Sequence, residues 1–234
     1  MKQTLNTKWP RAILLDFYGT VVAEDDEPFR EICGRVVAAA RKKPSASEVT
    51  EYYVQVYSDM CNRSHGPNYR LQKDIERESL KRLLARFEAD LAGDELAQTI
   101  IDYWSRPILF PEVRPVLARC RVPVCIVSNI DNAELFAAME FHGLSFAATV
   151  TSEDCRAYKP RPELFMKALS LLGLSAKEVL HVGDSRTNDV RGAQAAGIPV
   201  LWVNRNGRPF PADRKRPEFE ARDLTGILDV LEGA

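Results

Sequence analysis

Residues 12–20 read Ala-Ile-Leu-Leu-Asp-Phe-Tyr-Gly-Thr. An apolar run is followed directly by one carboxylate, Asp16, and three residues later by a glycine. A continuous apolar run of this kind is typical of a strand buried on both faces of a parallel sheet. Asp16 then lies at the carboxyl end of the strand, which is where open α/β sheets bind their ligands. We therefore predict that Asp16 is a functional carboxylate and a candidate nucleophile.

A second stretch near the other end of the chain, residues 179–189, repeats this arrangement. Its apolar strand is followed by Gly183 and then by two carboxylates, Asp184 and Asp189. Hard carboxylate oxygens suit Mg²⁺, which proteins usually bind through one or two carboxylates together with water and substrate phosphate. Two acid-rich strand ends therefore predict a Mg²⁺ site beside Asp16.

Two further segments lie at predicted strand ends. Ser128 and Asn129 follow the apolar residues 124–127, and their hydroxyl, amide and backbone N–H groups can hold anionic oxygens. Lys159 stands directly before Pro160, where an ammonium group would neutralise a carboxylate or a developing anion. We expect all four segments to meet at one edge of the sheet, because parallel strands direct their carboxyl ends the same way.

Helix and strand patterns alternate from residue 111 onward, which predicts a doubly wound parallel sheet of the α/β class. Residues 26–106 show helical patterns without a convincing strand. We therefore predict an α/β catalytic core made of residues 1–22 and 107–234, with an all-helical cap inserted as residues 23–106. The helices predicted in the cap are 28–43, 47–61, 71–91 and 94–105.

Several finer predictions concern single segments. A helix is expected over residues 189–196, and residues 204–222, which are rich in proline and charge, are assigned no helix or strand. His181 lies inside an apolar strand and is predicted to be a core histidine. Aromatic residues and a methionine at helical spacing indicate packing between the cap helices; they are Tyr52, Tyr53, Tyr57 and Met60.

Composition excludes several classes of function. The formal net charge is −1, with no basic stripe of the kind that nucleic-acid binders use, so we expect a small-molecule substrate and no nucleic acid. No segment reaches the roughly 18 apolar residues of a membrane span, and residues 1–10 lack an apolar signal core. The five cysteines are scattered and never form C-x-x-C, which favours reduced thiols in the cytoplasm. We expect a monomer or homodimer without a membrane partner.

The four segments, in this order, resemble the motifs of the haloacid dehalogenase-like hydrolase superfamily, and the helical insert resembles that family's C1 cap. The motifs are Asp16-Phe17-Tyr18-Gly19-Thr20, Ser128-Asn129, Lys159-Pro160, and Gly183-Asp184 with Asp189. The resemblance implies attack by Asp16 on the substrate, followed by hydrolysis of an aspartyl intermediate. It assigns catalysis to Asp16, Lys159 and Ser128, substrate binding to Gly19, Thr20, Ser128, Asn129 and Lys159, and Mg²⁺ binding to Asp16, the Tyr18 carbonyl, Asp184 and Asp189.

Tyr18 departs from the pattern of the family's phosphatases, which have a second aspartate at this position as the general acid and base. A free phenol has a pKa of about 10, so Tyr18 serves as a base at neutral pH only after a large downward shift. Tyr18-Gly19-Thr20 is similar to the first motif of the 2-haloacid dehalogenases, which use no metal, and residues 202–207 also resemble that branch. Gly183-Asp184 with Asp189 is instead similar to the last motif of the phosphatases.

Three functions follow from this mixture. The leading one is Mg²⁺-dependent hydrolysis of a small phosphorylated metabolite that has a good leaving group, or for which the cap or the substrate supplies the proton. Simple alkyl phosphates are expected to react slowly, since a missing acid–base partner forfeits a factor of roughly 100 to 10,000. The alternatives are a 2-haloacid dehalogenase and a catalytically silent phospho-ligand binding module. NAD binding is disfavoured because no G-x-G-x-x-G follows the first strand.

Overall fold

Six parallel strands form the central sheet of the computed structural model, which describes residues 9–233. Neighbouring strands are parallel throughout, in the spatial order β3-β2-β1-β4-β5-β6. The strands are β1 (Ala12–Leu15), β2 (Val124–Ser128), β3 (Ala148–Thr151), β4 (Val179–Gly183), β5 (Val200–Val203) and β6 (Phe219–Ala221). The predicted doubly wound parallel sheet is confirmed. The expectation for residues 1–10 falls mostly on residues 1–8, which lie outside the described residues.

The winding of the chain reverses at β1. In the register of the sheet, Leu15 of β1 lies between Ile126 of β2 and Val182 of β4. The chain winds from β1 outward through β2 and β3, and then crosses back to β4 on the other side. Such a reversal opens a crevice at the carboxyl ends of the two central strands. Asp16 and Asp184 directly follow those two strands.

The continuous apolar run of β1 is buried on both faces of the sheet. Ile13 and Leu15 belong to one apolar cluster, whereas Ala12 and Leu14 belong to a second cluster on the opposite face. All four side chains are fully buried. Because neither face of β1 meets water, the strand carries no polar alternation, as the sequence indicated.

Four helices occupy the chain between β1 and β2. They are α1 (Asp26–Ala39), α2 (Ala46–Arg63), α3 (Gln72–Phe87) and α4 (Gly93–Ser105). The described residues of this segment form no strand, as predicted. The start of α2 differs by one residue from the prediction, because Ser45 and Glu48 form a capping box in which each side chain accepts the other's backbone N–H. Helix α3 ends four residues early, where Glu88 adopts a left-handed conformation with φ 53°.

Six shorter helices cover the two faces of the sheet. They are α5 (Val113–Arg119), α6 (Asn132–His142), α7 (Ser152–Cys155), α8 (Glu163–Leu172), α9 (Gly192–Ala195) and α10 (Gly226–Gly233). Helices α5, α6 and α10 contribute to the same apolar cluster as Ile13, and α8 and α9 contribute to the cluster of Leu14. No helix among residues 9–233 is long and apolar enough to cross a bilayer. All five cysteines carry free thiols.

Two predicted segments are corrected by the structure. The helix expected over 189–196 is instead a π-helical turn over Arg186–Arg191 followed by α9, because the N–H of Val190 donates to the carbonyl of Ser185 at 3.0 Å. Residues 204–222, to which the sequence assigns no helix or strand, contain β6. This strand is three residues long and half-exposed at the sheet edge, so neither apolar alternation nor burial marks it in the sequence.

Candidate active site

A cavity of about 490 Å³ lies between the carboxyl ends of the central strands and helices α1–α4. Its wall on the sheet side contains most of the residues singled out from the sequence: Asp16, Tyr18, Ser128, Asn129, Lys159, Asp184 and Asp189. These residues come from four segments that are far apart in the chain. The expected convergence of the four motifs is therefore observed. Three segments leave β1, β2 and β4 at the same edge of the sheet, whereas Lys159, which was expected at a strand end, reaches this edge from the loop after α7.

Lys159 lies at the centre of the site. Its Nζ donates to Asp16 Oδ1 at 2.6 Å, to Asp189 Oδ1 at 2.7 Å and to the Val127 carbonyl at 2.8 Å. The residue is only 4% exposed. Burial by itself lowers the pKa of Lys159, but Asp16 and Asp189 raise it above its ordinary value. The ammonium group is therefore charged at neutral pH and holds the two carboxylates around it.

Three carboxylates share the site with this ammonium group. Asp16, Asp184 and Asp189 each offer an oxygen, and these atoms lie within 4.8 Å of one another. Burial, then Asp189 and Asp16, raise the pKa of Asp184 to about 7. Burial also raises the pKa of Asp16, although Lys159 opposes this shift. Asp16 and Asp189 are buried, whereas Asp184 is part-buried and its Oδ2 lies 3.3 Å from Arg208 Nη2. Lys159 and Arg208 bring two positive charges to three carboxylates, so this donor set fits an additional divalent cation.

Two glycines allow the acids to approach the strand ends. Gly19 has φ +83°, and a Cβ atom there would lie 2.6 Å from Asp184 Oδ1 and 2.8 Å from Glu24 Oε1. A Cβ atom on Gly183 would lie 2.3 Å from Asp189 Cγ. Side chains at either position would displace the carboxylates. Gly19, which was predicted to bind substrate, therefore has an observed role in accommodating Asp184.

Thr20 and Asn129 contact other site residues directly. Thr20 is buried, and its hydroxyl donates to Asp16 Oδ2 at 3.0 Å. The side-chain amide of Asn129 donates to the Lys159 carbonyl at 3.0 Å and accepts the Lys159 N–H at 2.6 Å. Both residues thus hold Asp16 and Lys159 in place. Ser128 ends β2, is buried and lines the cavity.

Comparison with known proteins decides the family. A family model described as haloacid dehalogenase-like hydrolase matches residues 10–197, which is most of the chain. The chain belongs to this family of hydrolases. The predicted membership of this superfamily is thereby confirmed.

Its curated relatives include both phosphatases and dehalogenases. The chain is 31% identical over 141 residues to the phosphoserine phosphatase of Thermus thermophilus, with 57% of this chain and 55% of that protein covered. It is 28% identical over 141 residues to the (S)-2-haloacid dehalogenase of Pseudomonas sp. (strain YL), with 58% and 60% covered. The matches therefore span only 55% and 60% of the lengths of these two relatives.

Among solved structures, the L-2-haloacid dehalogenase from Xanthobacter autotrophicus has the same fold. The superposition gives a TM-score of 0.74 at 20% identity and covers 95% of this chain and 98% of that one. Two reactions are thus represented among proteins similar to this hydrolase. The likeness of overall structure does not separate them.

Tyr18 of this hydrolase is held away from acid–base chemistry. Its hydroxyl donates to the Trp104 carbonyl of α4 at 2.6 Å. Burial, and then the nearby Glu134 carboxylate, raise the pKa of Tyr18 well above its ordinary value. The phenol therefore stays protonated at neutral pH. The downward shift that a general base would need is absent, as is a second aspartate at this position.

His181 is buried, as predicted, but it also contacts the site. The residue is 0% exposed, and its Nε2 lies 3.0 Å from Asp189 Oδ1, the same oxygen that accepts from Lys159. The other oxygen of Asp189 accepts the Ser185 N–H at 2.9 Å. Lys159, and next the hydrogen bond from His181, lower the pKa of Asp189 against the effect of burial. Asp189 is therefore ionised and fixed by three donors.

The wall of the cavity formed by α1–α4 and by the turn before α1 contains functional candidates that the sequence reasoning missed. They are Glu24, Asp25, Gln72 and Glu76, together with the ring of Trp104. Tyr53 and Tyr57, which were interpreted as packing residues, also line the cavity. One signal was available for Glu76: it follows the buried Ile75 and lies four residues before the buried Leu80, so a carboxylate falls on the apolar face of α3.

Proposed function

We propose that this hydrolase uses Asp16 as a nucleophile in the Mg²⁺-dependent hydrolysis of a small phosphorylated molecule. The observation that supports this proposal most directly is the cluster of Asp16, Asp184 and Asp189 beside a single ammonium group. Lys159, together with Arg208 beside Asp184, supplies two positive charges against these three carboxylates, so a metal-free site would retain uncompensated negative charge near the nucleophile. Phosphoryl transfer is the reaction in the family that employs such a cation.

The chemistry assigned to the protein's own residues has two steps. A carboxylate oxygen of Asp16 attacks phosphorus, the bond to the alcohol oxygen breaks, and an aspartyl phosphate forms. The alcohol departs as the anion of a good leaving group, or takes its proton from the substrate or the cap. Water then hydrolyses the intermediate, which releases inorganic phosphate and regenerates Asp16. The Lys159 ammonium group and the Ser128 hydroxyl stabilise the phosphoryl oxygens through both steps. Thr20 and Asn129 keep Asp16 and Lys159 oriented through the hydrogen bonds described above.

The metal-binding residues in this proposal are Asp16, Asp184, Asp189 and the backbone carbonyl of Tyr18. When bound, Mg²⁺ supplies positive charge that neutralises phosphoryl oxygens and the surrounding carboxylates. Asp189 accepts hydrogen bonds from Lys159 and His181 and is also a proposed metal ligand. It therefore links the position of the ammonium group to that of the metal. Removing the charge of Asp189 would therefore affect both.

We also propose that residues 23–106 act as a cap over a core made of residues 1–22 and 107–234. The cavity lies between the two parts and would enclose a small-molecule substrate. Closure of such a site separates the phosphoryl group from bulk solvent, and the water molecule that hydrolyses the intermediate must be held inside the cavity. We place the enzyme in the cytoplasm, as a monomer or homodimer, in keeping with its five free thiols.

Dehalogenation of a 2-haloacid is the second candidate, and Tyr18 favours it. Attack by Asp16 on carbon would release halide, which departs without a general acid. A phenol at position 18 is therefore compatible with this reaction. The charge of the cavity opposes this candidate. Among the described residues that line it, Lys159 is the single Lys or Arg, and the carboxylate of a haloacid would meet several acidic side chains.

A substrate screen with and without Mg²⁺ separates the candidates when both inorganic phosphate and halide are measured. We expect phosphate release that EDTA abolishes. Halide release that is insensitive to EDTA would assign the protein to the dehalogenases. If neither product forms and a phosphorylated ligand still raises the melting temperature, the protein is a silent binding module.

A further inference from the structure

The wall of the cavity opposite the carboxylate cluster has its own chemistry, which the proposed hydrolysis does not use. It is built from α1–α4 and from the turn before α1. Two acids, an amide and several aromatic rings face the cavity there: Asp25, Glu76, Gln72, Phe29, Tyr53 and Trp104. We call this set the distal wall. It is in position to contact the part of a substrate that is not being transferred.

The first observation is the charge of the cavity. Its lining, within residues 9–233, includes the acids Asp16, Glu24, Asp25, Glu76, Asp184 and Asp189, and Lys159 as the single Lys or Arg. Lys159 is already bonded to Asp16 and Asp189. A divalent cation at the cluster compensates the acids there, but Asp25 and Glu76 remain without a cationic partner in the lining. An anionic end group would be repelled from this wall, and a cationic one would be attracted.

The second observation is an unpaired acceptor. Gln72 is 8% exposed and lines the cavity, and its Oε1 atom has no hydrogen-bond partner among residues 9–233. The backbone of Gln72 is fixed, because its N–H donates to Asp131 Oδ1 at 2.8 Å. A buried acceptor without a donor is destabilising, and native proteins rarely leave one. A ligand that carries N–H donors would satisfy it.

The third observation is how the two acids are held. The Tyr53 hydroxyl donates to Glu76 Oε1, and the Trp104 ring N–H donates to Asp25 Oδ2 at 2.9 Å. Burial, the largest cause, and Asp25 raise the pKa of Glu76 to about 7. The rings of Phe29 and Tyr53 stack beside it with centroids 5.0 Å apart. Carboxylates and aromatic faces together form the surroundings in which proteins bind ammonium groups.

We propose that the substrate is the phosphate monoester of a small amino alcohol, and that its ammonium group is bound by Glu76, Asp25 and Gln72. This inference rests on the proposed function for the phosphate end of the molecule. The ammonium group supplies the N–H donors that Gln72 lacks and the positive charge that the two acids lack. Specificity then comes from the distal wall, whereas turnover comes from Asp16 and its neighbours.

The test compares matched phosphate monoesters. The probes are ω-aminoalkyl phosphates of increasing chain length, each paired with the n-alkyl and the ω-carboxyalkyl phosphate of equal length. Phosphate release by the full chain with Mg²⁺ provides kcat/KM for every probe. At the best length we expect kcat/KM for the amine to exceed that for the n-alkyl phosphate about tenfold, as one charged hydrogen bond implies, and the carboxylate to react slowest.

Glu76→Gln tests the residue itself, since glutamine keeps an acceptor for Tyr53 but removes the charge. We expect the preference for the amine to be lost in this variant and weakened in Asp25→Asn, which serves as the second variant if Glu76→Gln folds poorly. Glu78→Gln is the matched control on the same helix. Glu78 pairs with Arg82 at 2.8 Å and does not line the cavity, so the preference should persist there.

Binding measured without turnover separates the two proposals. In Asp16→Asn, the amine should raise the melting temperature more than the n-alkyl phosphate does, and Glu76→Gln in that background should remove the difference. Phosphate release with equal kcat/KM for amine and n-alkyl probes overturns the ammonium site and leaves the hydrolase proposal standing. Absence of phosphate release from every probe, and also from an aryl phosphate whose phenolate departs without a general acid, contradicts the proposed function. The melting temperatures then decide: a larger shift with the amine supports the ammonium site, and equal shifts overturn it.

Discussion

Lys159 Nζ and Asp16 Oδ1 lie 2.6 Å apart, although 143 positions separate them in the chain. Both side chains are almost fully buried, and the ammonium group bridges to Asp189 on its other side. Ion pairs of this kind are costly to desolvate and strongly destabilising to break. The contact therefore couples the stability of the fold to the position of the candidate nucleophile.

Lys159→Met is expected to lower the free energy of unfolding by about 3–5 kcal/mol without added metal, because it leaves Asp16 and Asp189 buried without their ammonium partner. Chemical denaturation in EDTA measures this quantity. Lys177→Met is the control, since Lys177 is exposed and lies outside the cavity. Equal stability of the two variants would contradict the interpretation of Lys159 as the central cation.

Asp16→Asn is expected to abolish turnover, by roughly 10⁴-fold or more in kcat, because the amide cannot attack phosphorus or carbon. The measurement is product release by purified protein with Mg²⁺. Asp229→Asn is a matched control at an exposed position on α10 and should behave like the unmodified protein. Full activity of Asp16→Asn would rule out this nucleophile for both candidate reactions.

The effect of Mg²⁺ on stability should depend on pH. The pKa of Asp184 is raised to about 7, above the ordinary value for aspartate of about 3.9. The folded protein therefore holds a proton that the unfolded chain loses between these values, and without metal the free energy of unfolding falls as pH rises through this window. Mg²⁺ competes with that proton.

We therefore expect MgCl₂ to raise the melting temperature more at about pH 8 than at about pH 5, relative to EDTA. Asp184→Asn should reduce the rise at the higher pH. A rise of the same size at both pH values would show that the Asp184 carboxyl group is not linked to metal binding.

Gly19→Ala is expected to weaken metal-dependent stabilisation and activity together. The added Cβ atom would lie 2.6 Å from Asp184 Oδ1, and alanine at φ +83° is strained as well. Gly207→Ala isolates the backbone contribution, because Gly207 has φ +61° but no atom within 4 Å of the added Cβ. The backbone strain alone should cost about 1 kcal/mol, measured by denaturation. If Gly19→Ala retains the full Mg²⁺-induced rise in melting temperature, the close approach of Asp184 is not required.

Tyr18→Asp should accelerate the hydrolysis of simple alkyl phosphates by roughly 100-fold, since it introduces the acid and base that this chain lacks. Tyr18→Phe is the control: it removes the hydrogen bond to the Trp104 carbonyl but adds no titratable group. We expect no gain from it. An unchanged rate in Tyr18→Asp would mean that the proton for the leaving group already has another source.

Much of the fold and part of the site were predictable from local sequence. The runs at 12–15 and 179–183 are apolar because both strands are buried on both faces, and that requirement is visible in the residues themselves. Since parallel strands end at one edge, the position of Asp16 and Asp184 relative to each other also followed. Tyr18 showed by its identity alone that the acid–base aspartate is missing.

Other features depend on distances through space, which residue identity does not encode. His181 and Asp189 are in contact because a π-helical turn brings the carboxylate back over β4. No periodicity in the sequence predicts that turn. Glu76 faces the cavity only because α3 packs against α2 and α4 and its first two N–H groups donate to Asp131. The pKa values of Asp184 and Glu76 depend on burial and on neighbouring charges, and both are properties of the assembled site. The chain thus determined by itself which chemical groups stand at the strand ends, whereas tertiary packing decided which of them share a proton, a cation or a substrate.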